Sequence, residues 1–393
     1  MKDDSSVTMR ANRVWMSPDD CRLDDFKKIV ARRTDPSDYP LARGVESNAL
    51  IYDGAAARAA AGDGAERKAY MAEWAEAMLT GPGVVVFKNA FADLENIDAV
   101  SAAFNAMIAD QHRDKTGGGD HFARPGANDR VWNALEKLCV REPALFARYY
   151  SNDLVAMVSQ AWLGTGYQIT SQLNVVNPGG AAQSAHRDYH MGFQTSEEIE
   201  RFPAHAHRLS PALTLQGAIA HCDMPIESGP TLYLPFSQNF LPGYFAWRKP
   251  EFIAWFDENR VQLPLSKGDA VFFNPALFHA AGHNRTSDIK RMANLLQVSS
   301  AYGRAMESVD RAKMSLALYP ALRETGLDAR AAANAIAACA EGYAFPTNLD
   351  RDPPLGGFAP MTQQQLLAKA VTENWELEAL RAALEDHQWR RRT

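Results

Sequence analysis

The spacing of apolar positions changes twice along the chain. Through the first 80 residues polar and charged positions prevail, broken by alanine-rich stretches such as 54–77 whose spacing predicts helix. Gly83-Val84-Val85-Val86-Phe87-Lys88 is a short apolar run rich in β-branched residues and predicts a strand. Over 93–110 apolar residues recur three and four apart, the pattern of an amphipathic helix. Residues 117–126 are too glycine-rich for a regular element and predict a loop of the kind that covers a site. Between about 167 and 302 the pattern becomes that of β structure, with short runs at 167–176, 212–221, 230–235, 269–274 and 291–301 separated by Pro, Gly, Asn and Asp. Many short strands with turn signals between them point to a sandwich, jelly roll or barrel rather than a parallel sheet. Beyond Met306 helical spacing returns at 306–318, 329–339 and 362–386, with a Pro/Gly connector at 352–357. The expected organisation is a mainly β core with α additions: an N-terminal extension over 1–80, a core over 81–303 and a C-terminal helical extension over 304–393.

Composition narrows the class without naming a reaction. Of 393 residues, 46% are hydrophobic and 22% charged, ordinary values for a globular chain with a sizeable core. The formal net charge is −6, and the one basic cluster is Arg390-Arg391-Arg392, which reads as a solvated end; no nucleic-acid partner is expected. The chain opens Met-Lys-Asp-Asp-Ser-Ser with no apolar run behind it, so no secretory signal is expected. There is no stretch of 18 apolar residues, so no membrane partner is expected either. Cys21, Cys139, Cys222 and Cys339 lie far apart without a CxxC pair and read as reduced thiols of a cytoplasmic protein.

The chemistry concentrates in two stretches. In Asn177-Pro178-Gly179-Gly180-Ala181-Ala182-Gln183-Ser184-Ala185-His186-Arg187-Asp188-Tyr189-His190, an extended chain puts His186 and Asp188 on one side, with His190 a third at the same period. An imidazole nitrogen and a carboxylate oxygen placed so can share a metal ion. Read as helix, the same residues would pair His186 with His190 and suggest zinc, but the Pro-Gly-Gly turn favours a strand. The second stretch runs from Lys267-Gly268-Asp269-Ala270-Val271-Phe272-Phe273 to His279, at the end of an apolar run. Twelve residues on, Arg291 opens an alternating strand whose one face carries Arg291, Ala293, Leu295 and Gln297. A guanidinium at the mouth of an apolar face needs an anionic partner, and a bidentate carboxylate is the natural match.

These residues resemble the phytanoyl-CoA dioxygenase-like branch of the iron(II)/2-oxoglutarate oxygenases. The resemblance rests on His186-Arg187-Asp188, on Glu227-Ser228-Gly229-Pro230-Thr231-Leu232-Tyr233-Leu234-Pro235, and on the ordered set Gly268-Asp269, Phe272, His279, Asn284 and Arg291. It implies a double-stranded β-helix, the cupin-like jelly roll, flanked by N- and C-terminal helices. It implies Fe(II) held by His186, Asp188 and His279, and 2-oxoglutarate held at its distal carboxylate by Arg291. The reaction it implies converts 2-oxoglutarate and O2 to succinate and CO2 while hydroxylating an unactivated C–H bond of a small-molecule substrate. In halogenating relatives a small residue replaces the carboxylate; Asp188 is present here, which favours hydroxylation or another oxidation without halide. Three departures stand out. The gap from His279 to Arg291 is one residue longer than usual, which brings in Lys290 and Arg285 as alternatives. Ala281 stands where the family often has Ser or Thr, and Pro235-Phe236-Ser237-Gln238 replaces the usual turn.

Weaker candidates surround this set. Gln172 and Asn174 share a strand face and could contact the cosubstrate or sit as satisfied buried amides. His121 and Arg124 in the glycine-rich loop could meet an anionic substrate. His283 and His190 flank the ligands, while His205, His207, His221 and His387 read as structural. A cupin-like metal-dependent isomerase or hydrolase built on the same His/Asp cluster is the alternative, and Arg291 argues against it. The C-terminal helices, with Leu316, Leu318, Leu366, Leu367, Leu377, Leu380 and Leu384, need a surface to pack on, either the core or a second copy in a homodimer.

Overall fold

The computed structural model describes residues 14–62, 64–116 and 126–393. Its strands are β1 (Gly44–Glu46), β2 (Ala49–Asp53), β3 (Val84–Lys88), β4 (Asn128–Val131), β5 (Gln168–Val176), β6 (Thr214–Ala220), β7 (Leu232–Leu234), β8 (Val261–Gln262), β9 (Ala270–Phe273), β10 (Phe278–Ala280) and β11 (Arg291–Ser299). Eight form one sheet in the order β1-β2-β3-β9-β6-β11-β5-β4, and three form a smaller sheet in the order β10-β7-β8. Helices are numerous between and after the strands, so the architecture is mixed α/β.

Each strand expected from the alternation pattern has a counterpart, but the share of helix is larger than the pattern suggested. Helices Ala134–Arg141, Pro143–Tyr150, Asp153–Leu163 and Pro250–Asn259 fall inside the stretch read as a β core. The first 80 residues also hold more than helix: β2 runs parallel to β3, with Ile51 opposite Val86. The predicted helix over 93–110 is Leu94–Asp114, started by the Asp93 side chain, which accepts from Asn96 N at 3.0 Å.

Contacts divide the chain into two compact units. The described residues within Met1–Ala90, Gly118–Asp129 and Asn174–Leu295 form the first; those within Phe91–Gly117, Arg130–Leu173 and Leu296–Thr393 form the second. In the first, β9 is the strand on which the others are aligned. It pairs antiparallel with β3 and β6, placing Phe273 opposite both Val84 and Gln216, and Val271 opposite both Val86 and Ala218. Side chains alternate along a strand, so Val84, Val86, Gln216, Ala218, Val271 and Phe273 share a face. That face is an apolar core with Tyr233 and Leu277, and each fully buried large side chain there contributes roughly 1.5–3 kcal/mol. Asp269, the acid of the Gly-Asp turn, is a clamp for the start of β9. Its carboxylate accepts from Asn89 N at 2.8 Å, Lys88 Nζ at 3.0 Å and Ser266 N at 2.8 Å.

The second unit is helical. Helix Arg311–Glu324 packs on Ala134–Arg141, Pro143–Tyr150 and the C-terminal helices Gln363–Thr372 and Leu377–Arg390. Leu318, Leu366, Leu367, Leu380 and Leu384 are buried in this packing, so much of the apolar surface of the C-terminal helices is covered within the unit. Among the described residues no helix is long and apolar enough to cross a membrane.

Candidate metal centre

All three expected donors lie in the first unit and come together. His186 is held in a single antiparallel bridge with His279, His186 N donating to His279 O at 3.0 Å and His279 N to His186 O at 3.2 Å. Two residues on, Asp188 N donates to Pro275 O at 3.2 Å, which keeps the chain extended from His186 to Asp188. The pair therefore points one way, as the period-two reading required, although the segment is one bridge rather than a full strand. His279 is central in β10, opposite Tyr233 of β7. One ligand atom from each of His186, Asp188 and His279 lies within 4.8 Å of the others.

The residue between the ligands fixes the segment from behind. Arg187 is buried, donates to Ser237 O at 2.6 Å and Phe240 O at 2.9 Å, and lies over the rings of Tyr244 and Phe278. It passes so close to Gly243 that a Cβ there would overlap the guanidinium. The turn Pro235-Phe236-Ser237-Gln238 is thereby explained as a brace: Ser237 Oγ also accepts from Phe278 N at 2.8 Å, holding the strand that carries His279.

The hydrogen bonds around the imidazoles set their chemistry. His186 Nδ1 lies 2.9 Å from Ser184 O and His279 Nδ1 lies 2.8 Å from Leu277 O. A carbonyl can only accept, so each Nδ1 carries a proton and the Nε2 edge of each ring is turned away from the backbone. Both Nε2 atoms face Asp188, at 3.8 Å for His186 and 3.4 Å for His279. Burial works to raise the Asp188 pKa, but His186, His279 and the amide of Gln216 outweigh it and hold the carboxyl well below its usual range. Two imidazole Nε2 atoms and a carboxylate converge, each Nδ1 being committed to a backbone carbonyl, an arrangement that can hold a cation. The donors fit a divalent metal, and backbone carbonyls behind both rings are the support that metal-bound histidines take.

Arg291 opens β11 in the same unit. It is 6% exposed, and its contacts are long: Nη1 to Ser228 O at 3.4 Å and to Gly282 O at 3.4 Å. Among the described residues no carboxylate pairs with it. Burial pushes its pKa down to about 10. On its strand face Ala293 and Leu295 are partly exposed, while Met292 and Asn294 on the other face are buried. Lys290 and Arg285, the alternatives, are exposed. Asn284 braces the loop before Arg291: its Nδ2 donates to Val176 O at 3.1 Å and Ile289 O at 2.8 Å.

Other expectations divide. His190 does not continue the ligand face: Tyr189 and His190 both take positive φ, turning the chain away, and His190 Nδ1 meets Ser210 Oγ at 3.1 Å. His283 is exposed. Gln172, in the second unit, accepts from Arg130 at 3.2 Å and donates to Gln297 at 3.2 Å. Asn174, in the first, accepts from Asn128 at 3.5 Å. His121 and Arg124 lie outside the described residues. Three residues escaped the sequence reading. Gln216 donates to Asp188 Oδ2. Gln183 Oε1 accepts from Ala281 N at 3.2 Å. Tyr233 is buried against Phe273, whose ring packs on His279. An amide alone in an apolar strand was the available signal for Gln216.

Two histidines and one carboxylate converge as the donor set of a facial triad does, a cluster that could bind iron. The chain belongs to the phytanoyl-CoA dioxygenase family: it matches the family described as "Phytanoyl-CoA dioxygenase (PhyH)" over residues 61–292, more than half its length. No curated protein matches the sequence. Among solved structures it is similar to the epimerase SnoN from nogalamycin biosynthesis in complex with Fe3+, alpha ketoglutarate and nogalamycin RO. That similarity has 16% identity, covers 75% of this chain and 94% of that one, and has a TM-score of 0.42. It is similar also to EctD from S. alaskensis with bound Fe, at 18% identity over 59% of this chain and 78% of that one, TM-score 0.43. A third is AviO1 from Streptomyces viridochromogenes Tue57, at 19% identity over 59% of this chain and 96% of that one, TM-score 0.42.

Proposed function

We propose that this protein is an Fe(II)/2-oxoglutarate-dependent dioxygenase that hydroxylates an unactivated C–H bond of a small-molecule metabolite. For a substrate R–H the balance is R–H + 2-oxoglutarate + O2 → R–OH + succinate + CO2. The observation that carries the reading is the pairing of the His186/Asp188/His279 cluster with a buried Arg291 that meets no carboxylate among the described residues. A metal-dependent isomerase or hydrolase has no need of that second feature.

Within this proposal His186 Nε2, His279 Nε2 and a carboxylate oxygen of Asp188 hold the iron. Bound iron(II), with 2-oxoglutarate and O2, supplies oxidising power sufficient to attack an unactivated C–H bond. The protein's part is orientation. Arg187 and Ser237 hold the ligand-bearing segments, and the carbonyls of Ser184 and Leu277 fix the imidazole tautomers. Arg291 pairs with the distal carboxylate of 2-oxoglutarate, whose short methylene chain suits the apolar face of Ala293 and Leu295. Gln172 and Asn174 are further candidate contacts of the cosubstrate. The division into an extension over 1–80, a jelly-roll core over 81–303 and a helical addition over 304–393 belongs to the same proposal, as do a homodimer through the C-terminal helices and a cytoplasmic location for its four free cysteines.

The test is anaerobic addition of iron(II) and 2-oxoglutarate to the metal-free protein. A weak visible charge-transfer band is expected, because a chelated keto acid absorbs through the ferrous ion, and 2-oxoglutarate alone should bind far more weakly. Failure to bind either component would refute the proposal. Succinate release against a panel of small metabolites then identifies the substrate, and hydroxylated product separates hydroxylation from other oxidations.

A further inference from the structure

Gln216 lies near the start of β6, more than nine-tenths buried, with Leu215, Ala218 and Ile219 as apolar neighbours along the strand. Its partner across β9 is Phe273, and the Phe273 ring packs on His279 with centroids 4.8 Å apart. One register pair thus serves two donors, Phe273 reaching His279 and Gln216 reaching Asp188. The Gln216 Nε2 donates to Asp188 Oδ2. An ionised carboxylate only accepts, so the amide must present its NH2 group on this side, which settles its orientation. The other end, Oε1, is buried and has no hydrogen-bond partner among the described residues. Packing gives no reason for an amide here: a Met or Leu would fill the strand position without leaving a buried acceptor unpaired.

We propose that Gln216 is a positioning residue of the metal centre, holding Asp188 by Oδ2 so that Oδ1 is the oxygen presented to the metal. Its Oε1 is left to accept an O–H donor that arrives with the metal and its water. The inference rests on the metal-centre reading above, and its test separates the two.

Cobalt(II) binding to the metal-free protein, followed by its visible ligand-field absorption, is compared for the wild type, Gln216→Met and Gln216→Leu. Melting temperatures of the metal-free proteins are measured alongside. The two substitutions differ in shape, so a packing defect peculiar to one is recognised by the other. The expected result is an affinity lower by about 10- to 100-fold, the size of effect typical for a residue that supports a metal ligand, together with an altered cobalt spectrum. Metal-free melting temperatures should stay close to that of the wild type, because the donor lost to Asp188 Oδ2 is offset by removal of the unpaired Gln216 Oε1. Wild-type affinity and spectrum in both variants overturn the inference, and so does a weakened affinity matched by a lowered metal-free melting temperature, which assigns Gln216 to packing. A wild-type protein that binds no cobalt contradicts the metal-centre reading, and this inference with it.

Discussion

Two buried arginines, one in each unit, are satisfied in different ways. Arg311, in the helical unit, donates to Ala338 O at 3.3 Å, Cys339 O at 3.1 Å and Ile169 O at 3.0 Å. Arg291, in the unit that carries the metal donors, reaches two carbonyls at 3.4 Å and pairs with no carboxylate among the described residues. Burial lowers the pKa of both. A buried guanidinium with three good acceptors joins segments of the fold. One with two marginal acceptors has donors to spare, which under the proposed function take an anion from outside. Residue type and burial are the same in the two places; the completeness of the hydrogen bonding differs, and on the proposed function that difference separates a structural arginine from a binding one.

The comparison can be broken most severely at the metal donors. Asp188→Ala removes one of three ligands, so metal affinity should fall by more than about 100-fold, beyond the usual cost of losing a supporting residue. In the wild type a divalent ion at 100 times its Kd should stabilise the fold by about 2.7 kcal/mol. That gain should vanish in Asp188→Ala, and a full thermal shift in the variant would move the carboxylate ligand elsewhere.

Next in size is the structural arginine. Arg311→Met leaves three carbonyls without their donor, at roughly 3 kcal/mol, or ~4 °C in melting temperature for a chain of this length. Affinity for 2-oxoglutarate should stay within about twofold of the wild type after correction for unfolded protein. If instead cosubstrate affinity collapses at unchanged stability, the two arginines have been assigned the wrong way round.

A smaller effect sharpens the binding side. Arg291→Lys keeps the charge but cannot make two parallel hydrogen bonds to a carboxylate. A loss of about 10-fold in 2-oxoglutarate affinity is expected, roughly 1.4 kcal/mol, with metal affinity unchanged. Titration calorimetry on the metal-loaded variant reads this directly.

Much of the site was legible because strands repeat every two residues. His186 and Asp188 two apart, and Arg291 heading an alternating run, carry their geometry in their spacing. His279 was readable from the apolar strand before it. Gln216 was not, because its partner Asp188 is distant in sequence and the pairing depends on the register of β6 against β9. His190 had the right spacing but the wrong backbone: two successive positive φ values break the alternation that the reading assumed. The helices between Ala134 and Leu163 are short, 8, 8 and 11 residues, and broken at Pro143 and Asn152, so no long helical period builds up in the sequence. The strand Ala49–Asp53 went unseen because five apolar residues or fewer in a polar stretch say little until a neighbour such as β3 pairs with them.

The most direct test of the account is 2-oxoglutarate binding to Arg291→Ala, measured together with iron(II) binding and the metal-free melting temperature. A binding arginine predicts nearly unchanged iron affinity, little loss of stability, and 2-oxoglutarate affinity weaker by about 2–5 kcal/mol, roughly thirty- to several-thousand-fold. Unchanged 2-oxoglutarate affinity with a lowered melting temperature would contradict it, and would make Arg291 a second structural arginine like Arg311.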